Sequence, residues 1–184
     1  RNIEVDYAQG IDEALEHLMS LGHRHIAFIS GPAELPSAQL RRAAFLAHLS
    51  RNGIVEDENL VVAGDHTVDG GLTAMDRLLR LQPHPTAVLA SNDLTAIGAL
   101  RTVHRAGMRV PDDISIVGFD DIHLAEFTEP PLTTVRLPRS ELAERAVSWL
   151  IEEIEERDTR NGVATRLETH LIIRQTTGPV RVAR

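Results

Sequence analysis

The chain has 184 residues, of which 42% are hydrophobic and 25% are charged, so it can fold around a real core and disorder is not expected. Its formal net charge of -8 argues against this segment holding the phosphate backbone of DNA or RNA by itself, because that affinity comes from clustered Lys and Arg. The absence of cysteine excludes a disulfide framework and a thiolate metal site.

Short apolar runs alternate with stretches of helical period along the first 120 residues. Runs without polar alternation are typical of strands buried on both faces, so the pattern predicts an α/β fold in which helices flank a parallel sheet. The expected strands are 3–5, 25–30, 60–63, 86–90 and 114–119. The expected helices are 11–22, 37–53, 72–79 and 93–106. In the second helix Ser37 is the expected N-cap, and the expected apolar face is Leu40, Ala43, Ala44 and Ala47, with Phe45 and Leu49 as further candidates.

The regular alternation ends after Phe119. Two prolines follow Glu129 and predict an extended passage before the run 132–137, where the chain crosses from one body to another. Ser140 then caps an expected long helix that ends in an acidic cluster at 152–158. Its apolar stripe is Leu142, Ala146, Trp149, Leu150 and Ile154. Asn161 and Gly162 predict a turn into a last strand, 167–173.

No apolar run approaches the length that spans a bilayer, and no signal peptide opens the chain. We therefore expect a cytoplasmic protein with no membrane partner. The chain begins at Arg1 rather than at Met, which suggests a fragment.

Polar residues follow two of the expected strands where each strand ends. In open parallel sheets ligands lie beyond these carboxyl ends, so Asn92, Asp93, Asp120 and Asp121 are candidates for a ligand site. For the first pair the alternatives are helix capping and a ligand contact, and both hold together if Asn92 meets the ligand while Asp93 caps. For the second pair we favour Asp120 as an acceptor for ligand hydroxyls and Asp121 as structural, with a purely structural role for both as the alternative.

Arg41 lies one helical turn beyond Ser37, so their side chains share a face. If the N-terminus of that helix faces the cleft, they present donors opposite the Asp120 acceptor. The alternative is a solvated surface arginine. His66 follows a strand end and is the histidine that we place near the cleft.

Catalytic and cofactor motifs are missing from the sequence. It contains no Gly-x-Ser-x-Gly, no phosphate-binding Gly-x-x-x-x-Gly-Lys, no Gly-x-Gly-x-x-Gly and no His-Glu-x-x-His. We therefore expect no enzyme activity, no cofactor and no metal.

Four segments together resemble the effector-binding core of lactose-repressor-type (LacI/GalR) transcriptional regulators. They are LGHRHIAFISGP at 21–32, SND at 91–93 with AIGAL at 96–100, VPDDISIVGFDD at 110–121 and PPLTTV at 130–135. The resemblance covers nearly the whole chain in the family's order. It implies a periplasmic-binding-protein-like type I fold of two lobes, joined by crossing strands, with a small effector in the cleft.

Carried over to this sequence, the resemblance implies effector contacts from five residues, namely Asp6, Ser37, Arg41, Asn92 and Asp120. His66 stands where relatives often have an aromatic residue that stacks on the effector, and Leu35 stands at a loop position that is polar in some relatives. The effector is expected to be a sugar or related polyol.

The resemblance also implies a division of the chain. Residues 6–126 are expected to be the C-terminal effector-binding lobe, 127–162 the crossover with a helix that normally packs on the N-terminal lobe, and 163–184 the returning strand and tail. The apolar stripe is then expected to pack against a second chain or an unusual surface, or to be left open by truncation.

The resemblance implies that DNA is bound only through a helix-turn-helix headpiece outside this chain. It also implies a homodimer, to which the helix with Leu94, Ile97 and Leu100 is a candidate contributor, with an ordinary core face as the alternative. The leading expectation is a transcriptional regulator, and the runner-up is a periplasmic sugar-binding protein of an uptake system.

Overall fold

The computed structural model of the chain describes residues 2–55, 57–154 and 164–181. A six-stranded sheet forms its centre, in the order β3-β2-β4-β5-β6-β8. Its strands are β2 (Ile26–Ser30), β3 (Val61–Ala63), β4 (Ala87–Ala90), β5 (Ser115–Asp120), β6 (Thr133–Arg136) and β8 (His170–Ile172). Neighbouring strands are parallel except for β8, which runs antiparallel to β6. A second, two-stranded sheet pairs β1 (Asn2–Asp6) in parallel with β7 (Ala164–Glu168).

Helices cover both faces of the large sheet. They are α1 (Tyr7–Ser20), α2 (Pro36–Arg51), α3 (Val68–Leu79) and α4 (Asp93–Arg105), and α5 (Arg139–Ile154) follows β6. Alternate residues of each strand enter different clusters: Phe28 and Leu89 pack with α1 and α2, whereas Val88 and Ile116 pack with α3 and α4. Burial on both faces explains why these strands are continuously apolar, and it confirms the expected α/β architecture.

The face of α2 predicted from the sequence is confirmed at Phe45 and Leu49, which are buried, and at Ala44, which packs against the core, but the predicted N-cap and the other positions are wrong. Its N-cap is Leu35 with Pro36 in the first turn, and Ser37 makes no cap. Leu40 is 55% exposed, and Ala43 and Ala47 are also exposed. The buried residues are Ala38, Arg41, Phe45, His48 and Leu49. Hydropathy placed the face incorrectly because two of these buried residues are polar, and alanine occurs on either side of a helix.

The single last strand predicted at 167–173 is also wrong. The chain forms β7 and β8, which belong to different sheets and are separated by the buried Thr169. The hydroxyl of Thr169 donates to the carbonyl of Asp6 at 2.7 Å and accepts from the amide of Gly10 at 3.0 Å. This change of sheet explains the incomplete alternation in the sequence.

The helix α5 buries none of its residues in this chain. Leu150 is 58% exposed and Ile154 is 80% exposed, while Leu142, Ala146 and Trp149 are partly exposed. What covers this stripe stays a prediction. The end of the expected acidic cluster and the turn at Asn161 and Gly162 lie outside the described residues.

The segment 127–162 is divided between two environments. Its strand β6 is part of the large sheet between β5 and β8, whereas α5 stands away from the core. Across the described ranges, no helix combines the length and the apolar character needed to cross a membrane.

Candidate functional site

The order of the strands identifies one edge of the large sheet as a candidate site. The chain runs from β2 outward to β3 and then returns to place β4 on the other side of β2, so the winding direction reverses between β2 and β4. At such a switch point the connections diverge and leave a crevice beyond the carboxyl ends of the strands. Gly31 follows β2 here and Ser91 follows β4, and the N-terminal end of α2 stands beside them.

Arg41 lies in this crevice and is only 5% exposed. Its Nε donates to the carbonyl of Ser37 at 3.1 Å, one terminal nitrogen donates to the hydroxyl of Ser37 at 3.2 Å, and the other donates to the carbonyl of Ser91. A guanidinium carries five N–H groups, so two remain without an acceptor among the described residues. The buried arginine is therefore anchored and still has donors to offer.

Two aromatic rings hold the guanidinium from the sides. Its central carbon lies 4.7 Å from the ring centroid of Phe119 and 5.2 Å from that of Tyr7. Stacking of this kind is favourable for a cation and fixes the plane of the guanidinium. Neither ring was predicted as a site residue, and only the position of Phe119 directly before Asp120 could have indicated it.

Asp120 faces Arg41 across the crevice, with 3.8 Å between the carboxylate oxygen and the guanidinium nitrogen. Within the described part of the chain, its carboxylate accepts no hydrogen bond. Burial raises the pKa of Asp120, and the charges of Arg41 and Arg139 oppose that rise. The site thus contains an acceptor and a donor that face each other without a direct hydrogen bond.

Asp121 forms its side-chain hydrogen bonds with arginines other than Arg41. Its carboxylate accepts from Arg136 and from Arg174, each at 2.7 Å, and is 8% exposed. Burial would raise the pKa of Asp121, but the hydrogen bonds from Arg174 and Arg136 outweigh it and hold the pKa below the ordinary value. These contacts give Asp121 a structural role.

The cap that the sequence assigned to Asp93 is made by Asn92. Asn92 is the N-cap of α4, where its Oδ1 accepts from the amide of Thr95 at 2.9 Å, and its Nδ2 donates to the carbonyl of His66 at 3.0 Å. The cap therefore belongs to Asn92 rather than to Asp93, because the helix already begins at Asp93, one residue earlier than a cap at Asp93 would place it. One amide N–H of Asn92 remains for a ligand.

His66 lies against the same edge. Its Nε2 is 2.9 Å from the hydroxyl of Ser91, and its ring covers Gly31, where an added Cβ would come within 1.9 Å of that nitrogen. Burial lowers the pKa of His66, and the charge of Arg41 lowers it further, so the neutral imidazole is favoured. Its Nδ1 makes no hydrogen bond within the described residues.

The backbone is unusual at the same place. Among the described residues other than glycine, positive φ occurs at His66 (64°), Asp120 (115°) and Asp121 (53°). Side chains other than glycine rarely adopt this region, and such strained residues cluster at ligand sites. All three lie directly after or near the carboxyl ends of β3 and β5.

Asp6 lies at the end of β1 rather than in the crevice. It caps α1 by accepting from the amide of Gln9 at 3.2 Å, and it accepts from Arg166 on β7 at 2.6 Å. Asp6, Tyr7 and Ser37 line one groove of about 800 Å³. The structure therefore brings together Ser37, Arg41, His66, Asn92 and Asp120, whereas Asp6 shares its groove with Ser37.

Residues 15–177 match the family described as periplasmic binding protein-like domain. The chain belongs to the periplasmic binding protein-like domain family. The type I periplasmic-binding-protein-like fold expected from the sequence is confirmed by this match and by the solved structures of similar proteins.

Members of this family with known roles resemble the chain closely. The HTH-type transcriptional repressor CytR of Escherichia coli (strain K12) is 37% identical over 175 residues, which cover 95% of this chain and 51% of CytR. The structure of the transcriptional regulator CelR in complex with cellobiose superposes with a TM-score of 0.88 at 37% identity, covering 95% of this chain and 53% of CelR.

The lac repressor dimer bound to operator and the anti-inducer ONPF superposes with a TM-score of 0.86 at 33% identity, covering 96% of this chain and 60% of that structure's chain. These likenesses confirm the resemblance to the effector-binding core of lactose-repressor-type regulators. The chain spans about half the length of the curated relatives it matches.

Proposed function

We propose that this chain is the effector-sensing domain of a cytoplasmic transcriptional regulator. It binds a sugar or related polyol and controls DNA binding by a helix-turn-helix headpiece outside the chain. The observation that carries this proposal is the facing pair of Arg41 and Asp120. Within residues 2–55, 57–154 and 164–181, a buried guanidinium with two uncommitted N–H groups lies 3.8 Å from a carboxylate without a hydrogen-bond donor.

A hydroxyl group complements both members of this pair. It accepts a hydrogen bond from the arginine and donates one to the carboxylate, so adjacent hydroxyls of a sugar satisfy both at once. The remaining N–H of Asn92 and the Nδ1 of neutral His66 offer further contacts at the same edge. Each charge-assisted hydrogen bond of this kind contributes about 1.5 to 3 kcal/mol.

The regulatory mechanism rests on two arrangements of the lobes. An effector that binds one arrangement more tightly shifts the population towards it, and the affinity for DNA changes reciprocally. We assign residues 6–126 to the C-terminal effector lobe, 127–162 to the crossover with α5, and 163–184 to the returning strand and tail. The lack of buried residues on α5 supports a covering body outside this chain.

The alternative is a periplasmic sugar-binding protein of an uptake system. It shares the fold and the site, but the relatives named above are transcriptional regulators and repressors. The cellobiose complex of CelR supports a sugar as the effector class here. An enzyme is not favoured, because the sequence carries none of the catalytic motifs considered above and the relatives named are transcriptional regulators.

We also propose that the regulator is a homodimer. Leu94 on α4 is 38% exposed, and Leu124 and Phe127 in the segment after β5 are 50% and 68% exposed. Apolar side chains exposed on neighbouring elements are typical of an interface, and the solved lac repressor is a dimer. Phe127→Glu is expected to halve the mass measured by light scattering, whereas the exposed Glu126→Gln is expected to leave it unchanged.

Calorimetry of the intact protein against a panel of monosaccharides, disaccharides and nucleosides tests the function. Arg41→Ala and Asp120→Ala are each expected to weaken the best sugar at least tenfold, the loss of one charge-assisted hydrogen bond. Arg42→Ala is the matched control, because Arg42 is the exposed neighbour on the same helix. Unchanged affinity in both site variants would show that the site is elsewhere.

A further inference from the structure

The buried carboxylate of Asp93 anchors the turn that carries Asp120, and it makes none of the proposed effector contacts. We propose that Asp93 is a positioning residue for the effector site, which fixes the turn at residues 120–122 and joins it to β6 and the start of α5. We call Asp93, its partner Thr134 and the amide of Ile122 the Asp93 clamp. The inference rests on the proposed function for its effector, but the geometry of the clamp stands independently.

The contacts of Asp93 reach two elements besides its own helix. Asp93 is fully buried; its Oδ2 accepts from the amide of Ile122 at 2.8 Å, and its Oδ1 accepts from the hydroxyl of Thr134 on β6 at 2.5 Å. The same oxygen lies over Gly118, where an added Cβ would come within 2.2 Å of it. Residue 118 must therefore lack a side chain for the carboxylate to reach both donors.

The turn needs such an anchor. Asp120 and Asp121 both have positive φ, and this conformation persists in residues other than glycine only where surrounding contacts enforce it. The amide of Ile122 comes immediately after them, so its hydrogen bond to Asp93 fixes where the turn ends. Asp120 is thereby held facing Arg41 before any effector arrives.

The turn is also attached directly to the segment that leads into α5. The carbonyl of Asp120 accepts from the amide of Leu137, and the carbonyl of Asp121 accepts at 2.7 Å from Arg139, the first residue of α5. Thr134 lies three residues before Leu137 on the same strand segment. A shift of Asp120 on effector binding therefore displaces the start of α5, which gives the site a physical route to the crossover.

The charges around the Asp93 clamp determine how readily Asp93 is ionised. Burial, together with the neighbouring carboxylates of Asp120 and Asp121, raises the pKa of Asp93 to about 7 despite the hydrogen bonds from Thr134 and Ile122. Among the positive groups nearby, Arg41 and Arg139 act on Asp120, and Arg136 and Arg174 pair with Asp121. No positive side chain in the described structure pairs with Asp93 itself, so its ionised form is maintained only by hydrogen bonds.

Hydrogen–deuterium exchange of the intact protein tests the clamp without a ligand. Thr134→Val removes the hydroxyl donor and keeps the shape. Thr95→Val is the matched control, because Thr95 is equally buried and its hydroxyl has no partner among the described residues. We expect exchange at 120–123 and 137–141 to rise about tenfold in Thr134→Val and in Asp93→Asn, and to stay unchanged in Thr95→Val. Equal exchange in Thr134→Val and Thr95→Val would overturn the inference, even if Asp93→Asn does not fold.

A second measurement concerns the effector, with cellobiose and ribose as probes. For a probe that binds the wild type, we expect Asp93→Asn to raise the Kd about tenfold. The same variant should also flatten the dependence of the Kd on pH between about 6 and 8. Thr95→Val should leave the Kd and its pH dependence unchanged. An unchanged Kd and pH profile would refute the positioning role. If no sugar binds the wild type, the proposed function fails, and the exchange experiment alone decides whether the clamp exists.

Discussion

Replacing Arg41 with methionine is the sharpest perturbation of the site. Methionine keeps an unbranched apolar stem, but it removes the charge, every donor and the part of the side chain that stacks on Phe119 and Tyr7. The carbonyl of Ser91 loses its donor, and Asp120 is left beside an apolar group. The change therefore removes the guanidinium as a whole, and the double variant described below isolates its pairing with Asp120.

The expected loss in the free energy of unfolding follows from the burial of Arg41 and Asp120. Breaking a buried charge pair from one side costs about 3 to 5 kcal/mol, because the remaining charge is left without compensation. The carboxylate of Asp120 is 26% exposed, so we expect the lower end, about 3 kcal/mol. For a domain of this size that lowers the Tm by about 6 to 12 °C.

Urea unfolding of Arg41→Met measures this loss, with Arg42→Met as the matched control, which is expected to change the free energy of unfolding by less than about 0.5 kcal/mol. Adding Asp120→Asn to Arg41→Met removes the stranded charge and is expected to restore about 1 to 3 kcal/mol as coupling energy. If Arg41→Met unfolds like Arg42→Met, or if the double variant shows no coupling, the two side chains do not form the buried pair described.

Three further results are expected. Sugar affinity falls as the pH drops through the raised pKa of Asp120, because the hydroxyl needs the ionised acceptor, and calorimetry of Asp120→Asn from pH 4.5 to 8 should lack this dependence. Gly31→Ala pushes the ring of His66 off Ser91, so sugar affinity should fall about tenfold while thermal unfolding changes little; a normal affinity would contradict the role of His66. Because the pKa of Asp93 is raised to about 7, its contribution to stability is present at low pH and is lost as the pH rises from about 4 to about 7. In urea titrations over that interval, the free energy of unfolding of the wild type should fall by up to about 4 kcal/mol relative to that of Asp93→Asn.

The sequence predicted the sheet well because burial on both faces leaves a clear signature. The run ending at Ala90 is apolar throughout, and the polar residues after it had to lie at the carboxyl edge of a parallel strand. The same reasoning placed Asp120 at that edge. These features depend only on local composition and on the direction of neighbouring strands.

Other features could not be predicted because they depend on groups far apart in the chain. Arg41 and His48 turn inward on α2 because Asp120, Ser91 and Asp12 are there to meet them, and hydropathy alone would turn both outward. The break at Thr169 likewise depends on where the second sheet lies.

The sequence by itself determined the α/β class, the buried strands and the edge of the sheet at which polar groups collect, since each follows from periodicity and composition over a few residues. Only the tertiary structure decided that Arg41 and Asp120 face each other with free hydrogen-bonding capacity and that Asp93 supports them from beneath. The physical reason is that a buried polar group is stable only with partners, and those partners come from helices and strands that the fold brings together.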